Sequence, residues 1–306
     1  MAVSKKAFLG WFGSIFLAVF GASPLLGIDL AISGGLGNMA FDAERETTLG
    51  SGAEAFEGRL FPLGRLEVSG EAGNGFYYNG GFEREPVLRN RLFINMGIKL
   101  DYISLEIGPV IGLFNSEERI VNPGFSAGLG LEFPGILFVN LKASSSLGSV
   151  LDITGDYLQK SAEISVGFWV PYVVCSFNLT TRGFALEKGA NLLIEDSVTR
   201  YFFRADVFSK NVPYTCRLDL GYQNMSRSYS SYQINGTSLD RDSQSDEFKA
   251  LYIGLETSYT VNPAFKLFLG GELPVYSWSV QPMKSPDKGS FLFRVYTGVV
   301  LTLASD

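Results

Sequence analysis

Histidine is absent from this chain of 306 residues, and its absence removes whole classes of chemistry. Without an imidazole, a Ser-His or Cys-His nucleophile has no general base, and a transition metal lacks its commonest nitrogen ligand. Cysteine is nearly absent as well: Cys175 and Cys216 are the only two, too few for a thiolate metal cage. Charge is scarce, at 18% of residues, and the balance is acidic, with 25 Lys and Arg against 31 Asp and Glu. No basic run extends beyond Lys5 and Lys6, so the phosphate contacts of a nucleic-acid complex have no source. Helical periodicity is missing everywhere beyond residue 27. The expectation is a chain that is not an enzyme and has no cofactor, no metal and no nucleic-acid partner.

What the chain does have is 46% hydrophobic residues, 14% aromatics and 35 glycines, a composition suited to sheet. Its first segment is different. Lys5 and Lys6 precede an uncharged run over residues 7–28 that ends in Gly21, Ala22, Ser23, Pro24 and Gly27. A basic start, an apolar middle and a small-residue end read as a secretory signal peptide spanning 1–27, cleaved after Gly27 or near Ala22. A retained transmembrane helix is the competing reading, but glycine and proline break its final third.

From residue 28 to residue 306 the recurring pattern has period two. In "LFINMGIKLDYISLEIGPVIGLF", residues 92–114, Leu92, Ile94, Met96, Ile98 and Leu100 alternate with Phe93, Asn95, Gly97 and Lys99. After Asp101 and Tyr102 the alternation restarts with Ile103, Leu105 and Ile107 against Glu106 and Gly108. Each such segment is a pleated strand with one apolar face and one small or polar face. Fourteen segments of this kind can be counted, the 59–82 region being the weakest; losing that hairpin would leave twelve. The connections at 101–102, 134–135, 171–172, 209–213 and 262–264 are short, whereas 43–58, 147–160, 185–197, 225–247 and 277–290 read as long polar loops. Tight turns at one end and long loops at the other predict an all-β, up-and-down antiparallel transmembrane barrel rather than a Greek-key sandwich.

In this respect the chain resembles bacterial outer-membrane β-barrel proteins, porin-like channels among them. Its end, "YTGVVLTL", is similar to the C-terminal signal that barrel-insertion machinery reads, with Tyr296, Gly298, Leu301 and Leu303 at the matching positions, although the chain continues through Ala304, Ser305 and Asp306. The resemblance implies a place in the outer membrane after export, with lipid, the insertion machinery and small polar solutes as partners.

The parity opposite the apolar one points into the barrel. It carries Arg65, Lys99, Lys142, Arg182, Arg200, Arg204, Arg217, Lys266 and Arg294, and also Glu67, Glu106, Glu132, Glu163, Asp206, Asp219, Glu256 and Glu272. Unpaired ions in a dry core cost several kcal/mol each, so these charges need a wet lumen or tight pairing. Strands about 4.8 Å apart and tilted about 40° would, at fourteen, enclose a cylinder of roughly 14 Å radius. Arg182, Arg200, Arg204 and Arg217 on one side, facing Glu106, Glu132 and Glu163 on the other, are the candidate pore-lining residues. Two arrangements are open: a transverse field across a diffusion channel, or cross-strand ion pairs that stiffen the wall. A closed barrel that displays its loops for adhesion is the alternative function. Finally, Cys175 and Cys216 share the outward parity on the ninth and eleventh strands, which predicts free thiols rather than a disulfide.

Overall fold

The computed structural model describes residues 26–37, 61–85, 89–115, 119–146, 157–188, 192–209, 212–235, 238–280 and 293–303. They form fourteen strands: β1 (Leu26–Gly37), β2 (Phe61–Gly73), β3 (Phe76–Glu85), β4 (Arg89–Lys99), β5 (Ile103–Asn115), β6 (Arg119–Phe133), β7 (Leu137–Ser146), β8 (Tyr157–Val170), β9 (Val173–Lys188), β10 (Leu192–Phe208), β11 (Tyr214–Asn235), β12 (Ser238–Asn262), β13 (Phe265–Val280) and β14 (Arg294–Leu303). Every strand pairs antiparallel with its sequence neighbours, and β1 closes on β14 from Ile28↔Leu303 to Gly37↔Arg294. The ring therefore has no edge strand. The leader expected over 1–27 lies almost wholly outside the described residues, and β1 starts at Leu26.

The weak 59–82 region is a true hairpin. Its turn is Asn74-Gly75, with φ of 53° and 79°, the left-handed pair that a two-residue hairpin turn requires. A Cβ on Gly75 would also lie 2.4 Å from the Lys99 carbonyl oxygen, so only glycine fits there. The strand count is consequently fourteen, not twelve. The signal was faint because Gly70, Gly73 and Gly80 thin out the apolar parity on both strands.

Two of the expected long loops are instead ladder. β9 runs to Lys188 and β10 starts at Leu192, while β11 and β12 stay in register from Tyr214↔Tyr259 to Asn235↔Ser238. Likewise β8 begins at Tyr157 and β13 continues to Val280, so the ends of the 147–160 and 277–290 stretches are strand too. The reason lies in the residues: from Ser226 to Gln233 and from Asp240 to Glu247 polar side chains and tyrosines occupy both parities, so pairing continues without any apolar parity to announce it. The 43–58 stretch lies outside the described residues.

Solvent exposure is inverted relative to a water-soluble sheet. Outward Phe177 is 63% exposed and Ile107 63%, whereas inward Asn122 is 0% and Asn95 3%. Phe76, Tyr102, Phe133, Tyr172, Tyr214 and Tyr259 ring the tight-turn end, all of them exposed. Tyr102 stacks on Phe133 at 5.6 Å, and Tyr214 leans on Tyr259 at 4.9 Å. Tyr201 and Tyr222 lie farther along the outward face, 6.3 Å apart, while Phe291 lies outside the described residues.

Both cysteines face outward, unbonded: Cys175 is in register with Ala205 and Cys216 with Val207, so the whole of β10 stands between them. Two strand spacings amount to about 10 Å, beyond the roughly 7 Å that a disulfide spans. Folded, non-reduced protein is expected to have the mass of two free thiols and to lose no stability under reductant. A Cys175–Cys216 crosslink in the mass spectrum would contradict this strand order.

Candidate functional site

The pleat aims the charged parity at the lumen, and register then decides which charges meet. Arg204 donates from Nε and Nη2 to the two oxygens of Asp219, at 2.8 and 2.7 Å, across the β10–β11 ladder where these residues are direct partners. Arg217 donates to Asp206 at 2.7 Å and to Glu256 at 3.2 Å. Glu256 also accepts a hydrogen bond from the Tyr296 hydroxyl at 3.0 Å. Arg200 reaches from β10 to β13, where it donates to Glu272 at 2.6 Å, and its guanidinium lies 4.3 Å from the Tyr252 ring centre. Arg294 approaches the same Glu272 oxygen to 3.7 Å. Planar, delocalised arginine suits such shared, stacked positions better than lysine does.

The expected anionic side is paired in the same manner. Lys142 sits 2.8 Å from Glu106, and Lys99 donates to Glu132 at 2.9 Å. Glu163 faces the lumen in register with Lys142. The seven candidate lining residues therefore all face inward, but they do not make two bare, opposed patches. Arg200, Arg204 and Arg217 each have a carboxylate on their own side of the barrel, and Glu106 and Glu132 each have a lysine. For these five, cross-strand pairing is the arrangement seen.

Arg182 makes a different contact. Its Nη2 lies 3.8 Å from Glu83 on β3, six strands away around the ring. Glu83 also accepts a hydrogen bond from Arg91 at 2.8 Å and has Arg65 within 3.7 Å. Arg91 in turn donates to Ser161 on β8 at 3.2 Å. In a circular section of this strand number, β3 and β9 would stand roughly 25 Å apart, farther than an arginine and a glutamate reach together. The barrel is therefore flattened, with β3 and β4 facing β8 and β9 across the short axis.

Glu83 and Arg91 were missed by sequence reasoning. Glu83 sits in Glu83-Arg84-Glu85 and Arg91 follows Arg89-Asn90, so charged and polar residues occupy both parities and nothing local marks the inward one. Carrying the Asn79–Gly81 parity forward, and the Phe93–Asn95 parity backward, would have found both.

Cavities open within the lumen between the described residues. One of about 270 Å³ is lined by Glu83, Arg91, Lys142, Ser161, Glu163 and Arg182 among others. A second, about 470 Å³, is lined by Arg204, Arg217, Glu256, Lys266, Glu272 and Arg294 together with Glu83 and Arg182. A third, about 400 Å³, involves Tyr77, Ser104, Glu106, Asn178 and Arg204 near the tight-turn end. Among the described residues no group of three or more carboxylate or thiol side chains gathers to hold a metal ion.

The four residues of the terminal motif divide between the faces. Leu301 and Leu303 share the outward face with Leu30 and Ile28, their β1 partners. Tyr296 and Gly298 point inward. The Tyr296 ring covers Gly270, where an added Cβ would lie 2.4 Å from Cζ, and Phe268 covers Gly298 in the same way at 2.3 Å.

No protein-family model and no curated protein sequence matches the chain. Among solved structures, it is similar to a loop-deletion mutant of OmpT, an outer membrane protein of Vibrio cholerae, at 8% identity over 92% of this chain and 100% of that one, with a TM-score of 0.39. It is similar to the anion-selective porin from Comamonas acidovorans at 10% identity over 92% and 100%, TM-score 0.38. An outer membrane channel from Pseudomonas putida F1 gives 9% identity over 92% and 97%, TM-score 0.40. Identity at this level carries no residue role from them to this chain.

The pairing pattern orders the charges by their worth to stability. Glu272 has a side-chain exposure of 14% and serves Arg200 and Arg294, so Glu272→Gln leaves two enclosed guanidinium groups short of an anion. It is expected to cost about 1–3 kcal/mol of unfolding free energy. Lys99→Met, in a pair with exposures of 56% and 40%, is expected to cost less than about 1 kcal/mol. Denaturant titration of the detergent-refolded protein compares the two; equal losses would show that the Glu272 cluster is solvated like the rim.

Proposed function

We propose that the chain is a transmembrane barrel of the bacterial outer membrane whose lumen passes small hydrophilic solutes by diffusion. A single observation carries this reading: an apolar exterior, with Phe177 and Ile107 both 63% exposed, encloses an interior of ion pairs and polar cavities of about 270–470 Å³. In hydrocarbon every backbone N–H and C=O must pair within the protein, and a closed ladder is the one sheet that meets this condition. The aromatic ring at the tight-turn end suits a membrane–water interface. Leu301 and Leu303, outward on the last strand, are where insertion machinery would engage the C-terminal motif. The small cavity volumes suit solutes the size of ions and small metabolites, moving past fixed charges that order water and disfavour apolar molecules.

A second reading is a closed barrel that serves as a scaffold for surface display. The observation favouring it is the Glu83, Arg91 and Arg182 contact across the short axis. Planar-bilayer recording separates the two: stepwise, ohmic openings support the channel, and silence from protein that is heat-modifiable on gels supports the closed barrel.

Facing is testable in parallel. Ile253 is 40% exposed on the outward face of β12, so Ile253→Arg is expected to cost roughly 2–4 kcal/mol in a lipid bilayer if it lies near the midplane. Lys266, which lines the larger cavity, is expected to tolerate Lys266→Glu with a loss under about 1 kcal/mol, while selectivity moves toward cations. The opposite ranking would invert the two faces.

A further inference from the structure

Glu83 stands between two cavities. The smaller one, lined from β2 to β9, and the larger one, lined from β9 through β14 to β3, share four lining residues: Arg65, Glu67, Glu83 and Arg182. Those four are joined to one another. Arg65 bonds Glu67, and Arg65 and Arg182 both approach Glu83, at 3.7 and 3.8 Å. The line they make runs from β2 and β3 on one wall to β9 on the facing wall. Glu83 is the middle of it, 7% exposed although it lies inside a lumen, because Arg91 holds it from the β4 side as well.

We propose that Glu83, with Arg182, forms a transverse ionic strut that splits the lumen into two parallel conduits and sets their charge selectivity. The inference rests on the channel reading above and adds to it the residue that determines what passes. The narrow conduit lies against β4 to β8, where the Arg91–Ser161 hydrogen bond also crosses it; the wide one lies against β10 to β14. A single carboxylate here restrains three guanidinium groups. Its neutralisation therefore frees the strut and, at the same time, leaves the cluster of Arg65, Arg91 and Arg182 one negative charge short facing the pathway. Removing Arg182 frees the strut too, but leaves Glu83 and takes a positive charge away. The two changes have the same effect on width and opposite effects on selectivity, a combination that general loosening of the barrel would not produce.

The test is single-channel recording in planar bilayers of the wild-type protein, Glu83→Gln and Arg182→Met, with reversal potentials measured across a salt gradient. The expected result is a higher conductance in both variants, with the reversal potential shifted toward anions in Glu83→Gln and toward cations in Arg182→Met. Unchanged conductance in both variants of a conducting wild type overturns the strut while leaving the channel reading intact. A silent wild type with conducting variants supports the strut as a closure and overturns the open-channel reading. If all three are silent, the channel reading fails, and unfolding midpoints of the two single variants and the double variant decide on the strut alone. A double variant no less stable than the worse single one retains the contact, and additive losses remove it.

Discussion

Everything in this molecule depends on the ladder between β1 and β14. A sheet of thirteen pairings is an open ribbon with two rows of unpaired N–H and C=O groups, each costing several kcal/mol if held in hydrocarbon. The fourteenth pairing, from Ile28↔Leu303 to Gly37↔Arg294, removes both rows at once. It also fixes the facing of every other strand, because period-two side chains on a closed ring have only an inside and an outside. Once Ile28, Leu30 and Ile32 face out with Leu303, Leu301 and Val299, the charged parity of all the strands is committed to the lumen.

That commitment explains why the interior is ionic rather than oily. Glu272 with Arg200 and Arg294, Asp219 with Arg204, and Glu256 with Arg217 and Tyr296 are local answers to one problem, which is how to enclose charge without stranding it. Removing either partner of such a pair is more damaging than replacing both. The glycines serve the same wall. Gly270 and Gly298 leave room for the rings of Tyr296 and Phe268, so aromatic bulk fills the pleat without forcing neighbouring strands apart.

The Glu83 cluster is of another kind, since its members come from walls that face each other. Neighbour register accounts for Arg204 and Asp219; it cannot account for Arg182 and Glu83, which meet only because the ring is flattened. Flattening and strut support each other. The contact draws β3 toward β9, and the approach of those walls is what brings a glutamate within reach of an arginine six strands away.

Much of this was legible in the chain because one simple periodicity dominates it. Alternation at Leu92 to Leu100 and Ile103 to Leu113 is a direct readout of pleat and facing, so the inward charges followed from parity, and the fold class and the unbonded cysteines from parity together with the order of strands and turns. Parity failed where its physical cause was missing. Beyond Met225 on β11, where polar residues take both parities, the ladder continues without alternation, and at Asn74-Gly75 the glycine-rich flanks hide a tight turn. Parity also says that a side chain points inward without saying what it will meet. Local pairs needed the register that tertiary structure supplies, and the contact of Glu83 with Arg182 needed the shape of the whole ring, a long-range property with no counterpart in any window of sequence.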